Sequence, residues 1–202
     1  MNLSQRAAKF IITKVINNLW GFTPSLMMEL IERKGGMGSL FFVMKNMTHY
    51  ESISKKMGPI PINILTTNIS ILNGCPYCIY GHALAFNLYY FEKYNELFKW
   101  DEKDFEKMAR LSEEEKITNI LSIYQEKRIN HLLPHFETQL KLRAGAKPKN
   151  QEEKNIKFIN TLYDYLNACG IESNLDPDEA HDPRNKNKAL IEKYHQARKL
   201  QP

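Results

Sequence analysis

The chain has 202 residues, 43% of them hydrophobic, which suits one domain with a real core and excludes a disordered chain. Its net charge of +5 comes from Lys residues spread along the chain and interleaved with Glu, the pattern of a solvated helical surface rather than a nucleic-acid patch. No uncharged apolar run approaches the roughly eighteen residues of a membrane helix, and the apolar patch Phe10 to Ile12 runs into Lys14 without a small-residue cleavage site, so the expectation is a cytoplasmic chain that binds neither nucleic acid nor membrane.

Nearly every readable segment has helical period. Ala8, Ile11, Ile12, Val15, Ile16 and Leu19 form the first apolar stripe. Thr23 and Pro24 read as an N-cap and first-turn proline of a short helix to about Arg33. Gly35, Gly36 and Gly38 break it, and another helix is expected from Ser39 to about Ile53. From Ile62 to Leu72 the spacing fits one helical face, while the β-branched content also suits a strand. Asn73-Gly74 ends that element and a helix starts at Cys75, running towards Tyr94. Asp101 and Asp104 open a further helix with Phe105 and Met108 on one face. Ser112-x-x-Glu115 is a capping box ahead of Ile117, Ile120, Leu121 and Tyr124. An amphipathic stretch runs from about Asn130 to Leu142, and Asn150-x-x-Glu153 caps a helix that Gly170 ends in a left-handed C-cap with Ile171 folding back. Residues 173–188 read as a charged, proline-containing linker, ordered or not. A terminal amphipathic helix follows, with Leu190, Tyr194, Ala197 and Leu200 in a narrow stripe that docks on its own domain or on a neighbouring subunit. The organisation expected is an all-α helical bundle over 1–172 with a linker and extra C-terminal helix over 173–202.

The chemistry concentrates at Cys75-Pro76-Tyr77-Cys78, with His82 one turn further on. If the helix starts at Cys75, that residue is the N-cap and Pro76 stands where its missing N–H costs nothing. The two sulfurs then share a side and can close a disulfide with little backbone movement. Free N–H groups and the positive end of the helix dipole stabilise a thiolate there. His82, four residues beyond Cys78, lies on the same face and can take its proton directly or through water. Metal is the weaker reading, because Cys75, Cys78 and His82 supply three ligands and no second Cys-x-x-Cys or His pair completes a zinc site. Covalent haem attachment needs His directly after Cys78, and residue 79 is Ile. Cys169 reads as a small core residue. No cofactor is implied.

The stretch Leu72-Asn73-Gly74-Cys75-Pro76-Tyr77-Cys78-Ile79-Tyr80-Gly81-His82 resembles the alkylhydroperoxidase D group of the carboxymuconolactone decarboxylase superfamily, whose Cys-x-x-Cys-x-x-x-His motif follows a helix ending in Asn-Gly. Residues 105–124 are similar to the helices that follow in that family, so the resemblance spans about 55–125. It implies an all-α fold assembled as a trimer or hexamer, and thiol-dependent peroxide reduction in antioxidant defence. By position it implies Cys78 as the peroxidatic thiol, Cys75 as the resolving thiol and His82 in a proton relay. It implies a dithiol reductant, such as a lipoylated protein. The family carries a Glu twelve residues before the first Cys, where this chain has Asn63, and an amide is no base. Glu29, Glu32 and Glu51 are the upstream carboxylates that could substitute, and Tyr80 is a further relay residue unless it merely packs.

Three rival readings stand beside this one. Cys-Pro-Tyr-Cys is also the glutaredoxin motif, which would make the chain a general disulfide reductase, but it requires a preceding strand and a sheet. A helical interaction protein with a vestigial Cys pair is favoured by Asn63. Decarboxylase chemistry, as in the rest of the superfamily, goes with loss of the Cys pair and lacks a substrate constellation here.

Overall fold

A computed structural model describes residues 3–200, and among them every regular element is helical. Nine α-helices follow in order among the described residues: α1 (Leu3–Trp20), α2 (Leu26–Met57), α3 (Pro59–Asn73), α4 (Pro76–Tyr94), α5 (Glu102–Lys107), α6 (Glu113–Ile123), α7 (Leu133–Arg143), α8 (Gln151–Glu172) and α9 (Lys188–Lys199). Short 3-10 turns at Met108–Arg110, Asn130–Leu132 and Pro183–Lys186 join them. None of these helices is long and apolar enough to cross a membrane.

The all-α bundle expected from periodicity is the architecture found. The ambiguous segment resolves as helix α3, buried from Ile62 to Leu72. Its β-branched residues are held in the helix by burial on every side, which outweighs a propensity cost of tenths of a kcal/mol per residue. Its polar residues are met inside the bundle. Thr66 and Thr67 hydroxyls donate to carbonyls of the preceding turn, Asn68 Nδ2 donates to Tyr124 Oη at 2.7 Å, and Ser70 Oγ donates to Asn167 Oδ1 at 3.1 Å. Gly74, at φ 75°, caps α3 in the left-handed conformation that favours glycine, and the Cys75 N–H bonds back to Ser70 O at 3.0 Å. The chain therefore turns sharply from α3 into α4. These two helices form the central hairpin, with α5, α6 and α7 on one side and α2, α8 and α9 around the rest.

Several boundaries differ from the sequence expectation. The expected glycine break is found at Gly35, whose φ 70° and ψ 174° are non-helical and divide α2 in two, though the second half resumes ahead of Ser39. Helix α2 starts at Leu26, and Thr23 does not cap it, since its hydroxyl donates to Thr13 O. Gly170 is not a left-handed C-cap. Helix α8 runs through it to Glu172, the left-handed residue is Asn174 at φ 47°, and Ile171 stays exposed. The expected capping box of Ser112 with Glu115 is formed, and Asp101 with Asp104 forms a second.

The linker is ordered. Residues 173–187 run as a strap across α1 and α4, tied by the His181 N–H to Gly81 O at 3.1 Å and by Asn185 Nδ2 to Trp20 O at 3.3 Å. Helix α9 then packs on α4 of its own chain, with Tyr194 fully buried among Leu84, Ala85, Leu88 and Phe91. Only Ala8, Ile12 and Ile16 of the first stripe are buried; Ile11, Val15 and Leu19 are exposed beside Phe10, because α1 packs chiefly on α2 and the strap.

Candidate active site

The local sequence builds the site at the start of α4. Cys75 is the N-cap in extended conformation and Pro76 fills the first helical turn. Cys78 lies in the first turn and His82 one turn later on the same face. Both thiols are reduced and buried, Cys75 at 0% and Cys78 at 1% exposure. Helix α8 covers them through Gly170, whose absent Cβ would stand 3.0 Å from Cys75 Sγ and 3.8 Å from Cys78 Sγ. Gly170 is thus required for the close approach of α8 to the sulfurs. Cys169 is buried in the same cluster, as a core residue.

The two thiols act on each other. The neighbouring Cys78 side chain lowers the Cys75 pKa despite burial, and the backbone N–H groups of Cys78 and Tyr77 act in the same direction. Burial, followed by the Cys75 side chain, pushes the Cys78 thiol up. At rest the negative charge therefore favours Cys75. Access is the other way round. Cys78 lines an apolar cavity of about 40 Å³, while Cys75 lies behind it. His82, His181, Trp20, Tyr50 and Tyr163 face the same cavity.

His82 is 3% exposed, and its Nδ1 has no hydrogen-bond partner among the described residues. Burial, reinforced by His181, holds its pKa well below the usual imidazole value. Its ring meets Tyr163 edge-on at 4.9 Å between centroids and His181 at 5.3 Å. It is a neutral imidazole with a free ring nitrogen.

The remaining relay candidates lie elsewhere. Tyr80 packs with Leu84, Leu190 and Ile191 under α9, away from the cavity; burial raises its pKa to about 12. Asn63 is buried, its Nδ2 donating to Pro59 O at 2.9 Å. Glu29 accepts the Ser173 hydroxyl at 2.5 Å, Glu51 lines an outer cleft, and Glu32 is exposed. None of the three acts on His82; His181 does.

His181 is the residue that sequence reading missed. Its Nε2 lies 2.9 Å from Asp178 Oδ1. The Asp178 carboxylate also accepts from Tyr77 Oη at 2.8 Å, the Ser25 N–H at 3.1 Å and the Glu179 N–H at 2.8 Å. Burial raises the Asp178 pKa, but these bonds, led by the one from His181, outweigh it and hold the carboxyl below its ordinary value. An ionised carboxylate only accepts, so His181 Nε2 carries the proton and Nδ1 is the basic nitrogen. The ring packs between Trp20, Phe22 and Tyr77, and a Cβ at Gly81 would strike it at 2.5 Å. The signal was Asp178-x-x-His181 in a segment read as linker, with Gly81 beside His82 as the other half of the contact.

No family description, curated protein or solved structure matches the chain. Among the described residues no group of three or more His, Cys, Asp or Glu side chains is arranged to hold a metal ion.

Proposed function

We propose that this chain is a thiol-dependent peroxidase of the alkylhydroperoxidase D type, reducing hydroperoxides through the Cys75–Cys78 pair. The observation that carries the reading is the convergence of Cys78, His82 and His181 on one apolar cavity, with Cys75 buried at the N-cap of the same helix turn. Once deprotonated, Cys78 Sγ attacks one oxygen of the peroxide and the O–O bond breaks. The departing alkoxide takes up the proton that Cys78 gave, leaving an alcohol and a sulfenic acid. Cys75 then attacks the sulfenic sulfur, an S–S bond forms, and water leaves. A dithiol reductant such as a lipoylated protein returns two electrons and two protons to both thiols.

The cavity suits this substrate class. About 40 Å³ exceeds the ~10–15 Å³ that a water needs by the same measure, so the chamber has room for an –OOH group. A wider cleft of about 320 Å³ adjoins it through the shared walls of Trp20, Met47, Tyr50 and His181, with room for the organic remainder. Burial of both sulfurs weighs against direct attack on a folded protein's disulfide. The all-helical fold is also not that of a glutaredoxin. The exposed apolar residues Phe10, Ile11, Val15, Met37, Phe41 and Met44 are the surface on which a trimer or hexamer would be built.

The test is a single turnover. Reduced protein mixed with an organic hydroperoxide should form a Cys75–Cys78 disulfide, detected by mass spectrometry. Cys78→Ser should abolish peroxide consumption. Cys75→Ser should stop at a sulfenic acid on Cys78, trapped by dimedone. Full consumption by Cys78→Ser would overturn the role assignment, and the absence of any disulfide in the native chain would overturn the activity.

A further inference from the structure

We propose that the C-terminal strap supplies the base for Cys78: His181 takes the thiol proton and passes it to the leaving oxygen, and Asp178 positions His181. This rests on the peroxidase reading for its substrate, but the proton transfer itself does not depend on peroxide.

Among the described residues no carboxylate lines the cavity of Cys78, and the two imidazoles that face it are His82 and His181. His82 is the poorer base. To accept a proton it must become charged in a buried site, beside another imidazole that opposes the charge. His181 stands in the opposite situation. A carboxylate lies 2.9 Å from its Nε2, so charge arising on its ring is neutralised as it forms. That carboxylate is fixed by Tyr77 of α4 and by the Ser25 N–H ahead of α2, so its direction does not depend on the strap alone. The strap is in turn fixed to α4 by the His181 N–H on Gly81 O. The assignment therefore gives the charge-bearing role to His181, and leaves His82 as a neutral hydrogen-bonding group in the same cavity.

The proton balance closes within the site. Cys78 S–H loses its proton to His181 Nδ1, directly or through a water. Sulfur supplies the electron pair to the peroxide oxygen, and the imidazolium returns the proton to the alkoxide. One proton is borrowed and returned, and no further reagent enters this half-reaction.

Other groups face His181 as well. Tyr77 is pushed far above its usual range by burial and then by Asp178, so it stays protonated. Tyr50 behaves likewise through burial. Asp182, on the strap, is raised by burial, and Glu51 and Lys55 of α2 line the outer cleft with it. A pH profile must therefore be read as a difference between variants.

The experiment uses the full chain with Cys75→Ser, so that Cys78 is the reacting thiol, and reads its alkylation by iodoacetamide against pH. The added substitutions are His181→Gln, His181→Phe, Asp178→Asn, Asp178→Glu and His82→Gln. His181→Phe keeps the aromatic packing against Trp20 and Tyr77, so it separates loss of the base from loss of the fold. Both His181 variants should slow Cys78 at pH 7 by roughly 10²- to 10⁴-fold, the usual contribution of a positioned base, and recover as pH rises. Asp178→Asn should shift the profile, and Asp178→Glu should restore it in part. His82→Gln should lower the rate without moving the pH midpoint, since burial keeps His82 neutral. A parent-like profile in a folded His181→Phe protein would overturn the proposal and leave the peroxidase reading intact. The same set is then run with cumene hydroperoxide in a Cys75 background. Loss of the peroxide reaction in that parent, with His181-dependent alkylation retained, would sink the peroxidase reading and leave the relay standing.

Discussion

At the scale of single residues, the site is shaped by what two glycines leave out. Gly81 lets the His181 ring lie on α4, and Gly170 lets α8 close over the sulfurs. Gly170→Ala tests the second. A methyl there gains about 1 kcal/mol of helix propensity inside α8. It also meets Cys75 Sγ at 3.0 Å, and overpacking of a core costs about 1–3 kcal/mol. The cost exceeds the gain because the sulfur is held at the α4 N-cap and is fully buried. The variant should melt lower than the native chain, and its Cys75–Cys78 disulfide should close more slowly, since the sulfurs must move to bond. A higher melting temperature with unchanged closure would show that Cys75 yields freely.

At the scale of elements, α9 is held by one residue more than by its stripe. Tyr194 is fully buried, its hydroxyl donates to Glu102 Oε2 at 2.8 Å, and Arg198 Nε donates to that hydroxyl at 3.0 Å. Tyr194→Phe keeps the ring but leaves a buried carboxylate short of a donor, a loss of about 1–3 kcal/mol by chemical denaturation. Tyr194→Ala removes the ring as well and should cost about 3–5 kcal/mol. Equal losses for the two would place the stability in the hydroxyl alone. The helices themselves were legible where one signal dominated. The capping box at Ser112, Asp101 and Asp104 at a helix opening, and Gly74 after Asn73 marked the starts of α6, α5 and α4 to within a residue or so. Helix α3 was ambiguous because complete burial removes the amphipathic contrast that marks a helix. Gly170 misled because a glycine needed for close approach looks, in sequence, like one needed for a positive φ. The Cys pair and His82 could be read from local spacing. Asp178 and His181 could not, since about a hundred residues separate them from Tyr77 and His82 and only tertiary contact joins them.

At the scale of the whole molecule, the buried histidine makes folding depend on pH. His82 has a folded-state pKa below the unfolded value of about 6.5, so above that pH both states leave it neutral and its burial carries no charge penalty. As pH falls from about 6.5 towards the folded pKa, the unfolded chain binds a proton that the folded chain refuses. Stability is then lost, at a slope of up to about 1.4 kcal/mol per pH unit. Asp182 works in the other sense. Its raised pKa gives stability that is present below about 3.9 and is lost as pH rises through the folded value. Asp182 acts from about 3.9 upward and His82 from about 6.5 downward, in opposite senses, so the native profile alone does not isolate either group. The difference between the native chain and His82→Gln does, because Asp182 contributes to both. Denaturant midpoints measured from pH 7.5 down to pH 5 should fall more steeply for the native chain than for His82→Gln. Parallel profiles would mean that His82 is protonated in the folded protein, and a charged His82 could then share the proton that the geometry assigns to His181 and Asp178.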